Sequence, residues 1–561
     1  MRSDEVPDVS KVELKVPGLG AITGLSLNGE VYQYLGIPYA MIPGRFRRSK
    51  PAAEPWPERR WDGTVFGPYC PQPPRDFYPV PSPPRPWLQM PAADEMNCLN
   101  LNISVPRSPD ASKSNGLLPV MVFIHGGAFT YSMNSSPVYD GRILASKSSD
   151  ISSPTIIVTM NYRLGVYGFL AGYDIREYNA ANGEEGTGNY GIWDQVLALR
   201  WIQKHIAAFG GDPDRVTLFG QSAGAVSVHC HLLRNEALFS SAILQSGLIR
   251  LCGVKSIDEY QACYERILLE LNISLDLPPT ERITRLLQVD TDSLTAAMIP
   301  TFIVPVITMA LCDDGVLING PMPTYDMYPS FTPPAWCKRL MIGDCRNECI
   351  IWNKSWDNLS LTPMTKAQDL STPDAKLLLA KMASFLGSKE KATAIASLYG
   401  LSETSSPDET FRAIERFNTD GMYSQLIYFA EKEYPAMYTY HFDVPSAFDN
   451  AWGGLAHHSY DNVLIWGVLR HVLPQQQKIG DRMMEAWIRF ACGEEPWERH
   501  DRAGRWMVFS EDGAQMKSKE EDRERGYEIW DELHRKGLVA DVSGLSSELC
   551  LRGGELVPWN D

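Results

Sequence analysis

Long apolar runs are missing from this chain of 561 residues: no window of eighteen or more apolar residues occurs, so no membrane-spanning helix is expected. Positive charge is scarce as well. Lys and Arg number 52 against 68 Asp and Glu, the net charge is −16, and no basic block interrupts it. Readers of a phosphate backbone carry a clustered positive footprint, so no nucleic-acid partner is expected. Cysteine is sparse, 11 in 561. That is too few for a disulfide scaffold, and the odd count leaves at least one thiol unpaired within the chain. The stretch Met1 to Leu14 is rich in Asp, Glu, Ser and Lys and lacks the apolar core of a secretory signal. A cytoplasmic protein is therefore expected, or a secreted one whose leader this sequence does not carry. What is present is ordinary for a folded protein, 44% hydrophobic and 21% charged residues, which excludes bulk disorder.

One segment is strongly biased. Residues 71–91 hold nine prolines, and Cys70 and Cys98 bracket them. Proline blocks helix interiors and central strands, so 70–98 is expected to be a surface loop. Beyond it, apolar runs alternate with helical patterns. Pro119 to Ile124, Thr155 to Met160, Arg215 to Phe219, Arg339 to Ile342 and Met437 to Phe442 are predicted as strands. Ile192, Val196, Leu199, Ile202, Ile206 and Phe209 recur at spacings of three and four, one face of a helix that Gly210-Gly211 ends. Such alternation predicts an α/β fold with a mostly parallel sheet covered by helices on both faces. The stretch from about 256 to 420 reads as helical insertions over the sheet's carboxyl edge.

Gly220-Gln221-Ser222-Ala223-Gly224 follows the predicted strand Arg215 to Phe219 and opens a helical run from Ala223 to Leu233. A serine on so sharp a strand-to-helix turn projects its hydroxyl clear of the sheet, and small neighbours let the turn close. A bare pentapeptide of this pattern also arises by chance, and the strand and helix around it carry the argument. His125-Gly126-Gly127-Ala128-Phe129 ends another predicted strand. Its glycines let successive N–H groups approach a substrate, and with the N–H of Ala223 they would form a three-donor oxyanion site.

A serine hydroxyl needs a base, and the base an orienting acid. On this type of scaffold the chain order is nucleophile, acid, histidine. Glu348 follows the strand Arg339 to Ile342, with Asp344 as a rival acid, and His457-His458 lie in the loop after Met437 to Phe442. With ten histidines in the chain, rivals are few. Cys345 and Cys349 flank Glu348, but their spacing fits no common zinc pattern. Gly18, Gly20 and Gly24 do not open a helix and read as a hairpin turn rather than a dinucleotide loop.

These residues, together with Tyr34-Leu35-Gly36-Ile37-Pro38-Tyr39-Ala40, Asn161-Tyr162-Arg163-Leu164-Gly165, Gly188-Asn189-Tyr190-Gly191-Ile192-Trp193-Asp194-Gln195 and Phe209-Gly210-Gly211-Asp212-Pro213, resemble the type-B carboxylesterase family, which includes cholinesterases and some fungal lipases. The resemblance spans nearly the whole chain. It implies a single α/β-hydrolase domain over 1–561, Ser222 as nucleophile, Glu348 as triad acid, and Gly126, Gly127 and Ala223 as oxyanion donors. For the base, counting from Trp452-Gly453-Gly454 gives His457, and counting back from Asp461 and Trp466-Gly467 gives His458, the longer match and the favoured one. It also implies disulfides Cys70–Cys98 and Cys252–Cys263, which a cytoplasmic location would oppose. Departures are Gln221 where the family often has Glu, Ser459 and Cys349 for usual glycines, and a segment from Glu95 to Asn102 in which a structural salt bridge is expected to be lost.

Trp87 sits where cholinesterases stack choline on a tryptophan, although packing is the ordinary role of such a ring. In the lipase branch the 70–98 loop forms an amphipathic lid, which nine prolines would forbid. The expected function is thus a serine esterase forming an acyl-enzyme from a small or medium ester, with no cofactor and no metal. The alternatives are acyl transfer or lactone closure at the same triad, and a non-catalytic adhesion or scaffold relative, against which the intact Ser222, Glu348 and His458 argue. The oligomeric state is not readable from the sequence.

Overall fold

The computed structural model describes residues 6–74, 85, 87–107, 116–249, 251, 253–303, 309–318, 320, 322, 332–353, 374–449, 452–467, 470 and 472–551. Its centre is a thirteen-stranded sheet. Twelve strands lie on one path: β1 (Val9–Val16), β2 (Gly20–Leu27), β3 (Val31–Pro38), β4 (Asn100–Pro106), β5 (Leu118–Ile124), β6 (Ile156–Met160), β7 (Gly211–Gln221), β8 (Ser241–Gln245), β9 (Arg339–Cys345), β10 (Tyr438–Phe442), β11 (Trp506–Ser510) and β12 (Gly513–Lys517). Across the sheet they run β1-β2-β3-β4-β6-β5-β7-β8-β9-β10-β11-β12, and the short strand Arg60–Asp62 pairs with β2. From β6 to β11 every neighbouring pair is parallel, and the remaining pairs along the path are antiparallel. All five predicted strands are present, and β1 and β2 make the hairpin expected at Gly18.

Strand sequence follows strand position. At the sheet's edge, β1 (VSKVELKV) alternates apolar and charged residues, and its lysines blunt an unpaired edge. Central β5 (LPVMVFI) is apolar throughout because helices cover both its faces. Val120, Val122 and Ile124 enter one core while Met121 and Phe123 enter the other. Phe123 there meets Tyr139, Phe219 and Trp466, each at 4.9 Å between ring centroids. Burying such a side chain stabilises the fold by about 2–3 kcal/mol.

The described helices include α1 (Gly141–Asp150), α2 (Tyr190–His205), α3 (Ala223–Leu233), α4 (Pro407–Thr419), α5 (Tyr460–Trp466), α6 (Gln477–Ala491) and α7 (Val539–Leu551). The amphipathic run predicted from Ile192 forms α2 and a 3₁₀ turn, Ile206–Phe209, that Gly210 closes at φ 85°. The side chains of the motif residues Arg163 and Asp194 pair through two hydrogen bonds of 2.7 and 2.8 Å in the buried core, which ties α2 to the loop after β6. Between β8 and β9 lie helices Ile257–Glu270, Pro279–Gln288 and Thr291–Met298, and between β9 and β10 lie Ala375–Leu386, Lys389–Leu398 and α4. Ser406 and Glu409 cap α4 reciprocally, with Pro407 at its first position, which fixes where that helix starts. In the parallel register, Gly220 lies opposite Ile124, Gln221 opposite Gln245, and Gln245 opposite Gly343. The carboxyl ends of β5, β7, β8 and β9 therefore finish side by side, where ligands bind in open α/β sheets.

Candidate active site

β7 delivers Ser222 to the first turn of α3 with φ 56° and ψ −125°, a conformation that costs a non-glycine residue of order 1–3 kcal/mol. Packing enforces it. A Cβ on Gly220 would lie 2.5 Å from the Gly224 carbonyl, and one on Gly224 only 2.0 Å from the Ile124 carbonyl oxygen. Only glycine at both positions lets strand and helix approach closely enough to force the turn. The N–H of Ser222 is anchored to the Gln245 carbonyl at 2.9 Å. Ala223 opens α3, so its N–H has no intrahelical acceptor and lies at the positive end of the helix dipole.

Beyond β5 the chain turns sharply: Gly127, Ala128 and Phe129 have φ of 101°, 53° and 56°. The Gly127 carbonyl accepts from the N–H groups of Thr130 and Tyr131, both at 2.9 Å. Gly126 is pressed against the Ser222 turn, since a Cβ there would come within 3.0 Å of Ser222 Cβ and 2.6 Å of the Gln221 carbonyl oxygen. His125 is buried and stacks on Tyr162 at 4.6 Å, and burial pushes its pKa down to about 4.

From the loop after β9, Glu348 accepts from the Cys345 N–H at 2.7 Å through Oε1 and meets His458 Nδ1 at 2.5 Å through Oε2. Both side chains are buried. Burial raises the Glu348 pKa, and His458 and the Cys345 N–H pull it back. Backbone pairing joins the two loops, with the Asn347 N–H bonded to the Ala456 carbonyl at 3.0 Å and Asn347 bridged to His457. His457 faces elsewhere: its Nδ1 lies 3.0 Å from the His458 carbonyl, and its ring packs on Trp452 and Tyr460. Burial pushes its pKa down to about 4. The rival acid Asp344 is also committed, at 2.6 Å from His441 Nδ1 and 2.9 Å from Arg525.

Sequence reasoning missed what meets the other face of His458. With Nδ1–H given to Glu348, the Nε2 lone pair accepts from the Gln221 amide at 3.1 Å, rather than from the hydroxyl of half-buried Ser222. The departure at position 221 was visible, but the reach of its side chain was not. Tyr423 packs its ring 5.3 Å from that of His458.

Several expectations are corrected or resolved. Glu95 keeps a salt bridge rather than losing one, with two 2.7 Å bonds to Arg45. Trp87 packs against Leu25, Leu27 and Leu35, and the cation over its ring is the chain's own Arg142, 5.0 Å from the centroid. Cys70 and Cys98 are apposed thiols rather than the implied disulfide, with the Cys98 pKa raised by its hydrogen bond to Cys70 and by burial. Cys252 lies outside the described residues, as does most of 75–86 in the proline-rich loop. Among the described residues no His, Cys, Asp and Glu cluster could hold a metal, and no helix is long and apolar enough to cross a membrane.

Parallel sheet, strained serine turn, glycine-rich loop and carboxylate–histidine pair at one carboxyl edge together define an α/β-hydrolase. The family model described as the carboxylesterase family matches residues 8–530, and the chain belongs to that family; it is a carboxylic-ester hydrolase. The chain is 28% identical over 557 residues to Lipase 3 of Yarrowia lipolytica (strain CLIB 122 / E 150), covering 96% of this chain and 100% of that one. It is 38% identical over 254 residues to the para-nitrobenzyl esterase of Bacillus subtilis (strain 168), 44% of this chain and 46% of that one. A solved PNB esterase structure superposes with a TM-score of 0.68 at 25% identity, covering 93% of this chain and 100% of that one.

Proposed function

We propose that the chain hydrolyses small or medium carboxylic esters through a covalent acyl-enzyme, with Ser222 as nucleophile, His458 as base and Glu348 as the orienting acid. Ser222 Oγ attacks the ester carbonyl while His458 Nε2 takes its proton. Glu348 holds the imidazole by Nδ1 and stabilises its positive charge. The N–H groups of Gly126, Gly127 and Ala223 receive the developing oxyanion, each worth roughly 3 kcal/mol to the tetrahedral intermediate. His458 then protonates the leaving alcohol, and water repeats the sequence to release the acid. For the first step the Gln221 amide must yield Nε2 to the serine hydroxyl, as catalytic hydrogen bonds tighten when substrate binds.

The observation that carries this reading is the 2.5 Å Glu348–His458 contact beside the strained turn that bears Ser222. Ser222→Ala should lower kcat on p-nitrophenyl acetate and butyrate by about 10⁴-fold or more and abolish labelling by a fluorophosphonate, with folding unchanged. Turnover near wild type in that variant refutes the mechanism. Product analysis with an added alcohol separates hydrolysis from acyl transfer, since only the second acceptor differs.

A further inference from the structure

The loop that carries Glu348 is gripped from behind by α4. Glu415, buried in that helix, accepts from Asn347 Nδ2 at 3.3 Å through one oxygen and from the Thr419 hydroxyl at 3.0 Å through the other. Thr419 Oγ1 in turn accepts the Cys349 N–H at 3.0 Å. Residues 347 and 349, on either side of Glu348, are thus tied to one turn of one helix. Asn347 is also the residue whose N–H binds the Ala456 carbonyl, in the loop that carries His458.

Glu415 has no lysine or arginine partner among the described residues. Burial pushes its carboxyl up to about 7, and the bonds from Thr419 and Asn347 are what oppose that rise, while Asp420 and Glu348 add to it. A buried carboxyl without a counter-ion costs stability that an apolar side chain of similar size would not. Its placement is accounted for by what it holds.

We propose that Glu415, acting with Thr419, is a positioning residue that fixes the Glu348 loop so that the carboxylate stays on His458 Nδ1. A displacement of about 1 Å in a supporting group can cost 10²-fold in rate without any loss of binding. The clamp should therefore act on kcat and on the protonation of His458 rather than on KM. The groups facing His458 are Glu348, Gln221, His457, Asp461 and Tyr423, and of these Glu415 is coupled to Glu348, so a change in the acid limb after mutation at 415 reports on Glu348.

This inference rests on the Ser222, Glu348 and His458 reading, and the experiment keeps the two apart. Active sites are counted with a fluorophosphonate, and p-nitrophenyl butyrate hydrolysis is then followed per site from pH 5 to 9. Glu415→Ala should lose about 10- to 100-fold in kcat with KM within about twofold, and its acid limb should move to lower pH because the imidazolium has lost a close carboxylate. Thr419→Val should show the same pattern in milder form. Glu415→Gln can still accept from Asn347 and donate to Thr419 Oγ1, and should stay within about threefold of wild type. A per-site kcat and acid limb unchanged in both Glu415→Ala and Thr419→Val overturn the clamp, as does a Gln variant as impaired as the Ala one. If Glu415→Ala does not fold, the Thr419→Val and Glu415→Gln pair decides. An active Ser222→Ala would instead remove the catalytic reading and the clamp with it.

Discussion

Arg525 is the cation on which a buried cluster of charges depends, and Arg525→Met tests that dependence. Its guanidinium lies 2.9 Å from Asp344 and 2.6 Å from Asp443, and all three side chains are buried. Burial alone would raise the Asp344 pKa, but Arg525 first and His441 second bring it down to about 2 from 3.8. A depression of that size corresponds to about 2–3 kcal/mol, present above the unfolded value near 4 and lost as pH falls through about 2. Asp443 is lowered in the same direction by Arg525 and Arg346. Taking the cation away leaves two buried carboxylates undercompensated, so Arg525→Met should destabilise by about 3–5 kcal/mol at pH 7. Urea unfolding at pH 7, 5.5 and 4 measures it. In the variant, Asp344 is the group that takes up a proton on acidification, so the deficit should narrow toward pH 4. Per-site kcat below the unfolding transition should be unchanged, because Arg525 touches neither Glu348 nor His458. A deficit under about 0.5 kcal/mol, or one that is flat with pH, refutes the reasoning.

Three further outcomes are expected. His458→Ala should lose about 10³-fold or more in kcat per molecule, whereas His457→Ala should keep activity within a few-fold. Because buried His457 stays neutral down to about pH 4, wild type should lose stability as pH falls below 6.5, and His457→Ala should flatten that slope in urea titrations. Gly224→Ala would drive a methyl group to 2.0 Å from the Ile124 carbonyl oxygen; it should destabilise by several kcal/mol and abolish fluorophosphonate labelling. A soluble, labelled Gly224→Ala would show that the turn does not need that close approach.

The sequence by itself determined the scaffold and the serine turn. Apolar runs such as PVMVFI and glycines at 220 and 224 encode strands and a close approach through local chemistry, and β5, β7 and α2 lie within a few residues of where those patterns put them. The order of Ser222, Glu348 and His458 is likewise a property of the chain alone. Contacts between residues far apart were decided by packing. Glu348 meets His458 and not its neighbour across 110 residues, and Gln221 reaches the same ring across 237. Asp344 is taken by Arg525 across 181, Arg142 covers Trp87, and Glu415 grips Asn347 across 68. Periodicity and turn chemistry report which face a residue occupies within its own element. Which side chain it touches depends on how strands, helices and loops are brought together and on the rotamers that dense packing leaves open, and only the folded chain holds that information.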